Sequence, residues 1–192
     1  METLLSILVG VGLSAACGFR VFIPPLIISL AALSGHLTLA PGFAWMATHP
    51  ALIAFAVATG LEIAAYYVPW LDNLLDTIST PAAIVAGTLV TAAMITGMSP
   101  FLKWTLAVIA GGGAAGLVQG STVLARGLST AGTGGLANPI VATVELGGSI
   151  LTSILALVVP VLALLLLVIL AAVIAWKFIK KKSTKAVPAG SA

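Results

Sequence analysis

The sequence predicts an all-α, polytopic membrane protein with about six transmembrane helices, and three observations support this fold class. First, 60% of the 192 residues are hydrophobic and 7% are charged, which is too little charge to cover a water-soluble domain. Second, several apolar runs reach the roughly 20 residues that a helix needs to cross a bilayer. Third, those runs lack the polar–apolar alternation of a transmembrane β-barrel. Helices satisfy their own backbone hydrogen bonds in lipid, so we expect a helical bundle.

The first half of the predicted bundle contains three hydrophobic segments, and the first of them is interrupted. The segments cover residues 4–33, 51–68 and 81–98, with a loop at 34–50 and a short amphipathic helix at 71–78. Segment one is too long for one straight span, and Gly18, Pro24 and Pro25 predict a break within it. Segment two carries Glu62 and ends in aromatic residues typical of a membrane interface. Pro81 suits the first turn of segment three.

The second half of the bundle is more apolar and harder to divide. Its predicted elements are a segment at residues 102–124, a glycine-rich loop at 126–137 and an apolar stretch at 138–176. Pro139 predicts a further helix break at the start of that stretch. The stretch is too long for one span, so we divide it near Pro160 into segments five and six. Because almost no residues remain for a loop, one of these two is expected to be a tilted or re-entrant half-helix. Five spans are the alternative.

Basic residues are concentrated at the C-terminal end of the chain. Five of the eight Lys and Arg residues lie among the last sixteen positions, and the formal net charge is +3. Such a tail is typical of a cytoplasmic anchor on an anionic leaflet. We therefore expect a multi-pass protein of the inner membrane with a cytoplasmic C-terminus, and no binding of nucleic acid. One transmembrane domain is predicted at residues 1–178, followed by a disordered basic tail at 179–192.

Small residues recur with the same spacing in segments one and four. Gly10, Ser14 and Gly18 are four residues apart, and Gly112, Gly116 and Gly120 follow 102 positions later. Small residues at this spacing let helix backbones approach closely in a membrane. The recurrence predicts two three-helix halves, residues 1–98 and 99–178, which an odd number of spans would invert relative to each other. Chance recurrence is the alternative, since glycine and alanine are abundant throughout the chain.

Four ionisable residues are expected at membrane depth: Arg20, Glu62, Arg126 and Glu145. A charge at the centre of a bilayer costs at least about 2.5 kcal/mol on insertion scales, so these residues need partners or water. Pairing of Arg20 with Glu62 and of Arg126 with Glu145 is the simplest scheme, and pairing across the halves is equally allowed. The pairs either lock helices together or line a polar pathway.

Other polar residues extend this candidate site. Asn138, followed by Pro139, is expected to begin a half-helix whose positive dipole end faces an anion or water. Asp72 and Asp76 share one helical face, either as a cation site at a cytoplasmic mouth or as exposed interfacial carboxylates.

No spacing typical of a metal site or a nucleophile–base arrangement is present. Gly111, Gly113 and Gly116 match the dinucleotide-binding pattern G-x-G-x-x-G, but no strand or βαβ unit surrounds them. We therefore predict no metal, no cofactor and no enzymatic activity, and a lipid-modifying membrane enzyme that uses Glu62 or Asp72 is the alternative.

Two functions are compatible with these features. The first is a small-solute or ion transporter or channel, with a polar site between the two inverted halves. The second is a non-transporting membrane protein that binds lipid or a membrane partner, its buried charges being structural ion pairs. Membrane lipids are the expected partners in either case. A bundle of six short helices encloses little volume, so we also expect a homodimer.

The chain also resembles a family of small bacterial integral membrane proteins that is known only as a domain of unknown function. The resemblance covers nearly the whole chain. It rests on three groups of residues: the stretch 12–20 with Pro24 and Pro25; Glu62 with Pro69 and Asp72; and the stretch 134–139 with Glu145. An Asp-Lys pair is common in that family where this chain has Tyr66-Tyr67. The resemblance implies a membrane fold and brings no established activity.

Overall fold

A computed structural model describes residues 2–160 and seven residues beyond them: Leu162, Leu165, Val168, Ile169, Ala172, Val173 and Trp176. At residues 69–76 it describes the backbone and not the side chains. The predicted tail at 179–192 and much of predicted segment six lie outside the described residues. All regular secondary structure in the described part of the chain is helical, which confirms the all-α prediction.

Seven α-helices, one 3₁₀ helix and one π-helical segment follow one another in the described residues. The α-helices are α1 (Glu2–Cys17), α2 (Ile23–Leu33), α3 (His49–Tyr66), α4 (Pro69–Met94), α5 (Pro100–Leu106), α6 (Gly113–Thr133) and α7 (Asn138–Val158). The 3₁₀ helix, Pro41–Ala47, lies between α2 and α3, and the π-helical segment, Ala107–Gly112, joins α5 to α6 without a loop.

Four stretches of these helices are long and apolar enough to cross a membrane. They are His49–Tyr66, Thr77–Met94, Pro100–Thr133 and Asn138–Val158. Helices α1 and α2 are apolar but shorter, with 16 and 11 residues. At 1.5 Å per residue they extend only about 24 Å and 16 Å, less than the roughly 30 Å of a hydrocarbon core. The prediction of a helical membrane protein is thus confirmed by length and composition, with four candidate spans in the described residues.

Two predicted boundaries are wrong. Pro81 lies inside α4 and does not begin a helix, so predicted segment three and the short helix before it are one element. The proline removes one backbone donor from the helix, and the packing of α4 against α1 and α6 compensates for it. The start of the predicted loop at 126–137 is helical, because α6 continues to Thr133 and ends at Gly134, which has a left-handed φ of 64°. The division near Pro160 agrees with the end of α7 at Val158.

Helices α1 and α4 are antiparallel and in close contact. The Thr91 hydroxyl donates to the Gly10 carbonyl at 3.0 Å, while one turn further along α1 a Cβ added to Gly87 would overlap Ser14. The Ser14 hydroxyl donates in turn to the carbonyl of Gly111, in the π-helical segment. Small residues therefore hold three helix backbones together where lipid provides no hydrophobic drive.

Helix α2 runs back beside α1, so the two form a hairpin. The start of α2 at Phe22 lies against Glu62, near the end of α3. The Ser29 hydroxyl donates at 2.6 Å to the carbonyl of Met46, just before α3 begins. Helix α2 is therefore antiparallel to α3, and α3 in turn is antiparallel to α4 and parallel to α1. The hairpin turn, residues 18–22, carries Arg20 into the protein interior.

The inverted repeat stays a prediction. Gly112, the last residue of the π-helical segment, and Gly116 of α6 lie against Ile84 of α4, while a Cβ added to Gly120 would meet no atom of the described residues within 4 Å. Gly18, its proposed counterpart in the first half, packs directly against the backbone of α6. Predicted segment one is interrupted by a hairpin turn, whereas the chain from α5 to α6 is continuously helical.

Candidate functional site

Four buried ionisable residues from four parts of the chain lie close together. They are Arg20 in the α1–α2 turn, Glu62 on α3, Arg126 on α6 and Glu145 on α7, with 1%, 7%, 3% and 3% of their surfaces exposed. Charged residues are rarely buried to this extent unless they are paired. We call these four residues the charge cluster.

Arg126 and Glu145 form the central ion pair of the cluster. Arg126 Nε donates to Glu145 Oε1 at 2.9 Å, and Arg126 Nη2 donates to Glu145 Oε2. Two parallel hydrogen bonds between a guanidinium and a carboxylate form the strongest common type of ion pair in proteins. This pairing is one of the two that the sequence favoured, and it joins α6 to α7.

Glu62 binds the backbone of the α1–α2 turn and not the side chain of Arg20. Its Oε1 accepts the Val21 amide at 2.8 Å, and its Oε2 accepts the Phe22 amide at 3.2 Å. These amides precede the first turn of α2, where helix N–H groups have no intrahelical partner and a negative charge is favourable. Phe22, at the N-cap position, has no side chain that can do this. The predicted Arg20–Glu62 ion pair is therefore replaced by a carboxylate cap.

The residues predicted as helix breaks have different positions in the structure. Gly18 lies in the hairpin turn, directly after α1. Pro24 and Pro25 lie in the first turn of α2, and Pro139 in the first turn of α7. Proline is well tolerated there because the first-turn N–H groups have no helical acceptor in any case. These three prolines thus begin helices.

Arg20 interacts across the two predicted halves. Its Nη2 donates to the Ala142 carbonyl at 2.7 Å and lies 3.6 Å from Glu145 Oε2. Its Nε and Nη1 are buried and have no hydrogen-bond partner among the described residues. Buried polar nitrogens are nearly always hydrogen-bonded, and a guanidinium carries donors only. The arginine is therefore held by one nitrogen, Nη2. The N–H groups of Nε and Nη1 have no acceptor among the described residues.

Tyr66 joins the two arginines, a role that sequence reasoning missed. The guanidinium carbons of Arg20 and Arg126 lie 3.8 Å and 4.0 Å from the centre of its ring. Its hydroxyl makes a 2.8 Å hydrogen bond with that of Ser79 on α4. The one available signal was its position, one helical turn after Glu62.

Changing Tyr66 separates the roles of its ring and its hydroxyl. Tyr66→Phe removes one buried hydrogen bond, and we expect a loss of about 1 kcal/mol in unfolding free energy. Tyr66→Leu also removes the aromatic surface over both guanidiniums, and we expect a further loss of about 2 kcal/mol. Thermal unfolding in one detergent measures both, with Tyr67→Phe as the matched control because Tyr67 is half exposed. Equal unfolding midpoints for the Phe and Leu variants would contradict a role for the ring.

Of the remaining predicted site residues, only Asn138 has a described side chain, and it lies apart from the four residues of the charge cluster. Asn138 is only half-buried and donates from Nδ2 to the Thr130 hydroxyl at 3.1 Å, seven residues from Glu145 along the chain. The side chains of Asp72 and Asp76 lie outside the described residues. A predicted cation site at these two carboxylates is therefore not tested.

Three helices direct polar stripes into the interior beside the charge cluster. The stripes are Thr59, Glu62 and Tyr66 on α3, Gln119, Thr122 and Arg126 on α6, and Glu145, Ser149 and Ser153 on α7, and all nine residues are buried. The spacings of three and four residues place the members of each stripe on one helix face. Sequence reasoning selected the charged members of these stripes and missed the neutral ones, although the same spacing identifies both.

The cluster lies toward one end of the bundle. Glu62 is four residues before the end of α3, and Glu145 is seven residues after the start of α7. At 1.5 Å per residue these positions are about 6 Å and 10 Å from the helix ends. The cluster therefore lies nearer to the end of the bundle at which α1, α3 and α6 end.

An open groove reaches the cluster from the side of the bundle. It has a volume of about 370 Å³ and is bordered by Phe19, Thr122, Val141, Val144 and the buried Glu145. Val144 is 69% exposed on α7, so in a bilayer this groove opens between two spans. Its lining is mainly apolar, and two of its polar residues, Thr122 and Glu145, belong to the stripes of α6 and α7.

Comparison with known proteins places the chain in a family. No curated protein and no solved structure matches the chain. The match is to the family described as "Domain of unknown function (DUF4126)", and it covers residues 7–180. The matched region includes every member of the charge cluster and the three polar stripes. The resemblance that the motifs indicated is thus confirmed, and the chain belongs to the DUF4126 family.

Proposed function

We propose that this protein is a small-solute or ion transporter, or a channel, whose polar site is formed by the charge cluster and the three polar stripes. Polar groups within membrane segments are costly and commonly mark the path of an ion or solute. Interrupted helices at membrane depth, like the α1–α2 hairpin, are typical of transporter binding sites.

The observation that carries this proposal concerns buried hydroxyls on the polar stripes. Two of these hydroxyls, Thr59 Oγ1 on α3 and Ser153 Oγ on α7, have no hydrogen-bond partner among the described residues. Each belongs to a stripe that contains a cluster carboxylate. A hydroxyl that serves only packing would bond its own helix carbonyl, as Thr105 does on α5. Hydroxyls on the same helix faces as a charged site could hydrogen-bond a passing solute or ion.

The flux of solutes through reconstituted protein tests the proposal. Proteoliposomes are loaded in turn with K⁺, chloride, inorganic phosphate, acetate and glycerol, and efflux is compared with protein-free vesicles. Thr59→Val and Ser153→Ala remove hydroxyls that have no hydrogen-bond partner in the described part of the chain, so both variants should unfold like the unaltered protein. We expect their flux to fall roughly two- to tenfold, the equivalent of one hydrogen bond. Thr105→Val is the matched control and should leave the flux unchanged. Efflux equal to that of empty vesicles for all five solutes would refute a transport function.

The finer features of this proposal follow from the sequence. The two halves would be inverted relative to each other, and the protein would form a homodimer in the inner membrane with a cytoplasmic C-terminus. The lysine-rich tail supports this orientation, because cytoplasmic segments carry an excess of Lys and Arg. Accessibility of single cysteines introduced at positions 36 and 186 tests the orientation, once Cys17 is replaced by serine.

A non-transporting, lipid-binding protein is the second candidate function. The groove beside Glu145 favours it, since its apolar lining suits an acyl chain and it opens between two spans. In that case Arg126 and Glu145 are a structural pair. The flux assay separates the two functions, because lipid binding without transport predicts no efflux.

A further inference from the structure

We infer that Arg20 is the ligand-binding residue of this site and that its ligand is a carboxylate or phosphate group. This inference deepens the proposed function by naming the class of ligand. The three nitrogens of the Arg20 guanidinium differ in their hydrogen bonding. Nη2 is committed to the Ala142 carbonyl, whereas Nε and Nη1 are buried and unpartnered among the described residues. These two nitrogens carry most of the N–H groups of a guanidinium.

The two carboxylates near Arg20 are already occupied. Both oxygens of Glu145 accept from Arg126, and both oxygens of Glu62 accept from backbone amides of the hairpin turn. Glu145 comes within 3.6 Å of Arg20 only through the oxygen that it shares with Arg126. Among the described side chains, therefore, the positive charge of Arg20 has no carboxylate of its own.

The surroundings of Arg20 decide the kind of ligand. Tyr66 covers a face of the guanidinium at 3.8 Å, so the open donors point outward in the guanidinium plane. Donors in that plane match the acceptor oxygens of carboxylate and phosphate groups. A cation would be repelled by Arg20, and a neutral solute would accept weaker hydrogen bonds from the guanidinium than an anion does.

The hairpin turn positions Arg20 for this purpose. Residues 18–22 are held by Glu62 on one side and by the close approach of Gly18 to α6 on the other. The arginine thus lies between α3, α6 and α7 in a fixed orientation, and fixed donors reduce the entropic cost of binding. The groove that ends at Glu145 gives a route of approach from the side of the bundle.

Ligand binding to the purified protein tests the inference without requiring transport. The full chain is placed in phosphatidylcholine nanodiscs and titrated with inorganic phosphate and with acetate, and the unfolding midpoint and calorimetric heat are recorded. A second preparation contains phosphatidylglycerol, which separates a lipid headgroup from a soluble anion as the source of the ligand. We expect saturable stabilisation by an anion in at least one preparation.

Three variants assign the binding to Arg20. Arg20→Gln should weaken it at least tenfold, because a charged hydrogen bond and the net charge are both lost. Arg20→Lys keeps the charge and serves as the alternative if the glutamine variant does not fold. It should also bind more weakly, because the planar donors are gone. Lys103→Gln is the matched control for non-specific attraction of anions, since Lys103 lies on α5, away from the cluster, and it should bind like the unaltered protein.

The outcomes separate this inference from the proposed function. Arg20-dependent anion binding without flux supports the inference and refutes transport. Flux of cations or neutral solutes that is indifferent to both Arg20 variants supports transport and overturns the inference. The inference is also overturned if phosphate, acetate and phosphatidylglycerol all fail to stabilise the unaltered protein.

Discussion

Replacing Glu145 with alanine is expected to lower the midpoint of thermal unfolding by about 10 °C. The change removes the carboxylate that binds Arg126 through two nitrogens and lies 3.6 Å from Arg20. Removing one partner of a buried ion pair costs about 3–5 kcal/mol, and each kcal/mol shifts the midpoint by roughly 2–4 °C in a protein of this size. Fluorescence-detected gel filtration after heating in one detergent measures the shift.

Two further variants separate charge from volume at this position. Glu145→Gln keeps the size of the side chain and removes its charge, so an intermediate shift is expected. Val144→Ala changes the neighbouring residue, whose side chain is exposed on the outer face of α7, and should leave the midpoint within about 2 °C of the original. If Glu145→Ala unfolded at the same temperature as Val144→Ala, the cluster would not stabilise the fold.

Gly18→Ala is expected to prevent correct assembly of the bundle. A Cβ at Gly18 would lie 2.5 Å from the Ala115 carbonyl oxygen and 2.9 Å from the Gln119 amide nitrogen. Both are backbone atoms of α6, so no side-chain rotation can relieve the overlap, and the hairpin turn that carries Arg20 must move. We expect a loss of about 3 kcal/mol or more, at the upper end of overpacking, and most of the expressed protein should aggregate.

Gly120→Ala is the matched control for this change. Gly120 occupies the position that the repeat makes equivalent to Gly18, but a Cβ there meets no atom within 4 Å. Alanine favours a helix over glycine by up to about 1 kcal/mol, so this variant should be as stable as the original or slightly more stable. The fraction of monodisperse protein after solubilisation measures both variants. Similar behaviour of the two would show that α1 and α6 do not approach as closely as the structure indicates.

The sequence allows a prediction of which charged residues are buried in the charge cluster. It does not allow a prediction of how they pair. The composition indicates that most of the chain lies in a lipid bilayer. An unpaired charge in contact with lipid is costly, so Arg20 and Glu62 are expected to face the interior of the protein. The partners depend on the relative rotation of helices that are far apart in the chain. Arg20 and Ala142, for example, are separated by 122 positions. No local pattern encodes such a contact.

The prolines are a second case in which the sequence alone did not determine the structure. Pro24, Pro81 and Pro139 all looked like helix boundaries, because each lacks the backbone donor that a helix interior uses. Two of them begin helices, and Pro81 lies within one. The lost hydrogen bond is a small local cost, and the packing of α4 against its neighbours outweighs it.

The sequence by itself determined that this is a helical membrane protein with an interrupted first segment and four charges that avoid lipid. These properties follow from hydrophobicity and chain length, which act on each segment separately. Only the tertiary structure decided that Glu62 caps a helix and that Arg126 binds both oxygens of Glu145. It also decided that two nitrogens of Arg20, beside Tyr66, have no hydrogen-bond partner among the described residues. Those outcomes depend on where the helices meet, and helix contacts in a membrane are set by the fit of small residues over many turns.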